Sequence, residues 1–377
     1  MAHFLHTADW QIGRVYGQFE SDDAAVLAEA RIETVARIAA LARERRVDAV
    51  LVAGDVFDTQ AVSDRTIRRL FDALAAFDGP WVMIAGNHDA ALADSVWSRA
   101  RQLGCVPANV HIPLHTQAVL LDTFSVLAAP LTQRHTYDDV SAAFDHLDTP
   151  EGLPRVGLAH GSVSGRLPES ADAANPIAPD RAARARLDYL ALGDWHGCLE
   201  IDARTWYAGT PEQDRFRGNE PGHLLDVRIG APGQTPQVER VAVGRYRWQL
   251  WQTRLALASD LESLCTRLAQ LGADDVLRLE ASGSVTLADW ETLQQAVGQA
   301  SARVRSLGVE TAALTIAPAE ADLAALQLDG YVAEVAERLQ TLQAQADSAA
   351  KEPDAAVART ALRLLLQYQR RLAQEAA

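Results

Sequence analysis

Along the first 200 residues, short apolar runs alternate with amphipathic stretches, and each apolar run ends in small residues followed by Asp, Asn or His. The runs lead into TAD at Asp9, GD at Asp55, GNHD at Asn87, AHG at His160 and GDWHG at Asp194. Apolar runs of this length bounded by turn residues predict strands. Between the first three, Val26, Ala30, Val35, Ile38 and Leu41 share one helical face, as do Ile67, Leu70, Phe71 and Leu74. The pattern is therefore strand-helix-strand-helix-strand, the grammar of a layered α/β protein. Polar residues just past strand carboxyl ends collect at one edge, where loops converge. The five clusters can meet there although they run from Asp9 to His196. A further turn is expected in WYAGTPEQDRF and a further strand in HLLDVRI.

The pattern changes after residue 246. RWQLWQTRLAL, SDLESLCTRLAQLG, VLRLEAS, LADWETLQQAVGQASARVRSLG and ETAALTIAP predict strand, helix, strand, helix, strand, a small α/β module over 247–318. Ser259 or Asp260 is the expected N-cap, and Gly272 and Gly308 the expected helix stops. From Ala319 onward, Leu323, Leu326, Val332, Val335, Leu339 and Leu342 form one helical stripe. Val357, Ala361, Leu364, Tyr368 and Leu372 form another, with a break near Pro353. The expected organisation is a larger domain over 1–246, the module over 247–318 and a helical hairpin over 319–377.

Composition narrows the function classes. A chain of 377 residues with 48% hydrophobic and 23% charged residues can bury a sizeable core. No apolar run reaches the roughly 20 residues of a membrane span, and no signal peptide pattern opens the chain, so a cytoplasmic location is expected. Cys105, Cys198 and Cys265 are scattered and predict reduced thiols. A net charge of −15 argues against holding nucleic acid by bulk electrostatics, so any such role needs a local site or a partner.

Each cluster alone reads as a common turn or cap, but five in order at strand ends supply an inventory. A two-metal centre needs a carboxylate bridging cations about 3.5 to 4 Å apart, with oxygen and nitrogen ligands completing each shell. Asp9, Asp55, Asn87, His160, Asp194 and His196 provide these groups.

This set, with AGDVFDT followed by AGNHDA as its most specific part, resembles the calcineurin-like metallophosphoesterase superfamily. Within it the chain is most similar to the DNA-repair exonuclease branch that includes the nuclease subunit of the bacterial SbcCD complex. The resemblance implies a layered β-sandwich flanked by helices, and two divalent ions, Mn2+ or Mg2+, activating a water for in-line attack. It implies that Asp9 and His196 hold the first ion, that Asp55 bridges, and that Asn87, His160 and residue 194 hold the second. It implies that His88 is not a ligand and faces the phosphate as a charge stabiliser or acid. Partners implied are DNA, a coiled-coil ABC-type ATPase gripped by the C-terminal helices, and a second copy in a homodimer.

Two positions depart from the family pattern. Gln11 and Asp194 stand where such proteins carry histidine. A neutral amide oxygen is a poor ligand and a carboxylate a good one for hard cations, which favours Mn2+ or Mg2+ over Zn2+. Asp58 either hydrogen-bonds near the ions or caps the following helix. Arg215 and Arg217 around Phe216 either meet a DNA backbone or lie on a plain exposed loop. Arg65, Arg68, Arg69 and the arginines of the run Arg181–Arg186 read as solvated helix faces. The expected function is a metal-dependent DNA phosphodiesterase of exo- or endonuclease type. The alternatives are a phosphatase or cyclic-nucleotide phosphodiesterase on the same scaffold, and a non-catalytic DNA- or ATPase-binding subunit with a degenerate site.

Overall fold

A computed structural model describes residues 1–167, 174–216, 218–316 and 331–344, with single positions between 355 and 368. The chain divides into two compact units, Met1–Tyr246 and Arg247–Ala377.

In the first unit the strands Ala2–Thr7, Ala49–Val52 and Trp81–Met83 are buried at nearly every position. They pair in parallel, as expected of strands covered on both faces. They form the middle of a six-stranded sheet in the order Gln237–Ala242, His223–Ile229, Ala2–Thr7, Ala49–Val52, Trp81–Met83, Val110–His111. A second six-stranded sheet runs Leu199–Asp202, Thr205–Tyr207, Tyr189–Gly193, Arg155–His160, Ser125–Ala129, Gln117–Leu120. Phe4, Leu51 and Val82 of the first sheet pack with Phe124, Val126, Leu158 and Tyr189 of the second, so the inner faces share one core. The outer face of the first sheet is covered by helices Ser21–Arg45, Asp64–Ala73 and Val96–Gln102 through Val35, Ile38, Ile67, Leu70 and Trp97. Each such side chain contributes roughly 1.5–3 kcal/mol by leaving water. The short helices Val140–His146 and Arg181–Arg184 cover the other outer face. The result is the α/β sandwich with flanking helices.

Local signals explain the boundaries. Ser63 caps the helix Asp64–Ala73 by accepting from the Thr66 amide, so the capping role open to Asp58 falls to Ser63. Arg181 is not on a solvated face. It is buried, and pairs with Asp139 and Asp145 at 2.8 and 3.0 Å.

The second unit carries a four-stranded sheet in which Asp275–Val285 pairs in parallel with Arg247–Leu255, Ser306–Glu310 and Leu314–Ile316. Helices Ala258–Ala269 and Leu287–Ser301 supply Leu261, Leu264, Trp290 and Leu293 to its core. Two boundaries differ from expectation. The second helix ends at Ser301, and Gly308 lies inside the next strand, because Arg305 continues into sheet pairing at Asp275. At the first helix the N-cap is Leu257, and Asp260 reaches back to accept from the Ala256 and Leu257 amides at 3.0 and 2.9 Å. A helix Tyr331–Ala344 follows, with Ala336 buried in the same core as Leu255 and Leu279. The expected division near residue 318, and most of the second half of the hairpin, lie outside the described residues.

Candidate metal centre

The five clusters meet at the carboxyl ends of their strands. The loops after Thr7 and Val52 run side by side, zipped by Asp9 N to Gly54 O (3.0 Å), Gln11 N to Asp55 O (2.9 Å) and Ile12 N to Val56 O (2.9 Å). Holding that path forces Asp9, Gln11 and Asp55 to positive φ of 53°, 45° and 50°, with Asp194 at 100°. Such backbone persists only where the surroundings over-determine it, and it clusters at functional sites. Two glycines make room: a Cβ at Gly54 would meet the His160 ring, and one at Gly86 the Asp55 carboxylate.

Each side chain is aimed by a partner behind it. His160 donates Nδ1–H to Ala53 O (2.8 Å), which leaves Nε2 facing Asn87 Oδ1 (3.3 Å), Asp55 Oδ1 (3.6 Å) and Asp194 Oδ1 (3.8 Å). Asp194 accepts from Ser162 Oγ (2.7 Å), and its backbone N–H meets the Asp9 carboxylate at 3.2 Å. His196 turns Nδ1 to Asp214, 3.3 Å away. The His88 amide donates to Asp55 Oδ1 (2.9 Å), and its ring Nδ1 donates to the Asp58 carbonyl (2.8 Å). Asp58 thus orients His88 through its backbone, while its carboxylate pairs with Arg14 at 3.2 Å.

The charge of the site is out of balance. Burial, with Asp55 and Asp194 adding to it against the pull of His196 and His160, lifts Asp9 to about 6. Burial likewise raises Asp194. Burial opposes charge on His160, yet Asp55, Asp9 and Asp194 around it lift its pKa to about 9. Asp9, Asp55 and His160 place ligand atoms within 4.8 Å of one another, all buried. Mixed carboxylate, amide and imidazole donors in such a pocket suit a divalent cation, which would supply the missing positive charge. The residues present fit the group.

Beside this cluster, a cleft of about 520 Å³ is lined by Asn87, His88, Asp58, Arg14 and Arg134. The Arg215 guanidinium pairs with Asp214 at 3.1 Å, and Arg217 lies outside the described residues.

The calcineurin-like phosphoesterase family profile matches residues 2–174. The chain is 38% identical to SbcD of the Rhodobacter capsulatus nuclease SbcCD, over 60% of this chain and 67% of that protein. The chain belongs to the calcineurin-like phosphoesterase family. This phosphoesterase is also 27% identical to SbcD of the Bacillus subtilis nuclease SbcCD, over 61% of this chain and 66% of that one. Identity to the DNA double-strand break repair protein Mre11 of Aeropyrum pernix is 28%, over 65% and 62%. The matched region thus spans about two thirds of each of these relatives.

Several residues of the candidate centre had no role assigned from the sequence. Asp214 holds His196, and that hydrogen bond, together with the charges of His196, Arg31 and Arg215, keeps the Asp214 carboxyl well below the usual range against the effect of burial. Asp89, the last residue of GNHD, accepts from Gly86 N (2.7 Å) and Phe57 N (3.1 Å) and so staples two ligand loops. His6 links the sheets beneath the site through Tyr189 Oη (3.0 Å) and Leu192 O (3.2 Å). Arg14 was visible only as one arginine among many.

Proposed function

We propose that the chain is a divalent-cation-dependent phosphodiesterase that cleaves DNA. The observation that carries the reading is the convergence of Asp9, Asp55, Asn87, His160 and Asp194 beside a cleft that carries His88, Arg14 and Arg134. Cation chemistry at such a centre activates a water and neutralises charge on the phosphoryl oxygens.

The chain's own groups do the rest. Asp55 reaches toward both His160 and His88 and is the carboxylate best placed to hold a cation beside the cleft. His160 has its Nδ1 committed to Ala53, so Nε2 is the ring atom it offers inward, while Asp214 fixes the His196 ring through Nδ1. His88 has Nδ1 committed to Asp58 O, which directs Nε2 toward the cleft, where it can stabilise charge or protonate a leaving oxygen. Arg134 lines the cleft with a guanidinium group suited to phosphate oxygens, and Arg14, held by Gln11, Asp58 and Asp214, adds positive charge to the same wall.

The tilt toward DNA comes from the relatives named as nuclease subunits and a double-strand break repair protein. A coiled-coil ATPase partner fits the exposed Tyr331, Val357, Leu364 and Tyr368 near the C-terminus. It would also offset a net charge of −15 in DNA binding. Rates on labelled DNA, a cyclic nucleotide and a phosphomonoester with Mn2+ decide the substrate class. DNA cleavage is expected, and hydrolysis of the monoester alone would overturn the reading.

A further inference from the structure

We propose that this centre holds a single divalent cation, on Asp55, Asn87, His160 and Asp194, because Gln11 and Arg14 close the position that Asp9 and His196 would otherwise share for a second. The inference rests on the cation-dependent reading above and narrows it.

The amide of Gln11 is buried, and its two ends are separately committed. Its Oε1 accepts from Arg14 Nη1 at 2.7 Å, and its Nε2 donates to His196 Nε2 at 3.1 Å. An amide nitrogen has its lone pair delocalised into the carbonyl and offers nothing to a metal. Only oxygen can ligate, and that oxygen faces the arginine. Turning the amide over would set its NH2 against the Arg14 N–H, donor against donor.

The same hydrogen bond occupies the one His196 nitrogen that faces inward, since Nδ1 is held by Asp214. Arg14 is itself fixed, with Nη1 3.2 Å from Asp58 Oδ1 and Nη2 3.4 Å from Asp214 Oδ2. Its guanidinium brings a permanent positive charge up to Gln11, where a second divalent ion would meet it as a like charge. The opposite side of the site shows the reverse chemistry. There Asp194 adds an anionic oxygen 3.8 Å from His160 Nε2, with Asn87 Oδ1 at 3.3 Å and Asp55 Oδ1 at 3.6 Å. Both exchanges for histidine act in one direction: they strip donors from the first position and strengthen the second.

The test is ion stoichiometry in the full chain, stripped with chelator, equilibrated with excess Mn2+ and assayed by elemental analysis and titration calorimetry. Wild type should hold about one ion per chain, and Gln11→His about two, since imidazole restores a donor there. Gln11→Glu, close in shape and anionic, should also gain the second ion and serves if Gln11→His fails to fold. Two ions in wild type overturn the inference and leave the cation-dependent reading standing. No bound ion overturns both. One ion in wild type and in both variants overturns the role given to Gln11 and Arg14.

Discussion

At the scale of single residues, the site is a set of polar side chains whose second atoms are spoken for. His88 is the clearest case for a test, because its ring is held by the Asp58 carbonyl and its amide by Asp55 while its side chain stays partly open to the cleft. His88→Ala should leave bound cation unchanged and slow hydrolysis roughly 10²-fold or more, the usual scale for a positioned acid or charge stabiliser. Metal content and turnover measured on the same preparation check this, and an unchanged rate on a substrate with a poor leaving group would remove His88 from the reaction. Asp9, Asp55, Asn87, His160 and Asp194 were legible in the sequence because each follows an apolar run and a small residue, so its place at a sheet edge follows from the strand before it. Asp214, Asp89 and His6 were not, because their roles depend on contacts with residues that only the fold brings near. Asp58 was legible as a site neighbour, but no pattern shows that its carbonyl rather than its carboxylate orients His88.

At the scale of elements, the two sheets must stay in register for clusters on different strands to meet. His6 ties them, lying fully buried between Tyr189 and Leu192 on the strand that leads to Asp194. Burial, only partly opposed by the Leu192 hydrogen bond, lowers its pKa from 6.5 to about 3. In the unfolded chain the same ring takes up a proton below about 6.5. Between these values the unfolded state binds more protons, so stability is full above about 6.5 and declines as pH falls toward about 3. From pH 7 to 5 this single group should cost about 2 kcal/mol. Urea unfolding of wild type and His6→Gln at both pH values measures it: the variant should lose about 2 kcal/mol less over the interval. Equal losses would show that His6 does not stay neutral in the fold. Element boundaries in the second unit were less legible. The alternation that marks Ser306–Glu310 as a strand is masked by the helical pattern running into it, and Gly308 reads as a stop when it is a strand residue.

At the scale of the molecule, every residue of the candidate centre belongs to Met1–Tyr246, which has cores of its own between and outside its sheets. A chain ending at Tyr246 should therefore hydrolyse a small phosphodiester in the presence of Mn2+. Its cleavage of long duplex DNA should fall by at least about tenfold, equivalent to about 1.4 kcal/mol of lost binding. Parallel assays on the two substrates check this, and equal loss on both would place part of the active centre beyond Tyr246. The overall layering was legible because buried parallel strands announce themselves as continuous apolar runs. Val332, Val335, Leu339 and Leu342 of the first C-terminal stripe fall on the helix Tyr331–Ala344, but Ala336 lies in the core of the small unit, so that helix is at least partly spent inside it.

The most direct test of a cation-dependent phosphodiesterase is cleavage of end-labelled single- and double-stranded DNA by purified full chain with Mn2+, run beside Asp55→Ala. Asp55 is the carboxylate within reach of both His160 and His88, so its loss should abolish bound cation and reduce cleavage to background. Wild type should cut, and stop when chelator is added. Cleavage by Asp55→Ala at the wild-type rate, or no cleavage by wild type with either Mn2+ or Mg2+, would contradict the account.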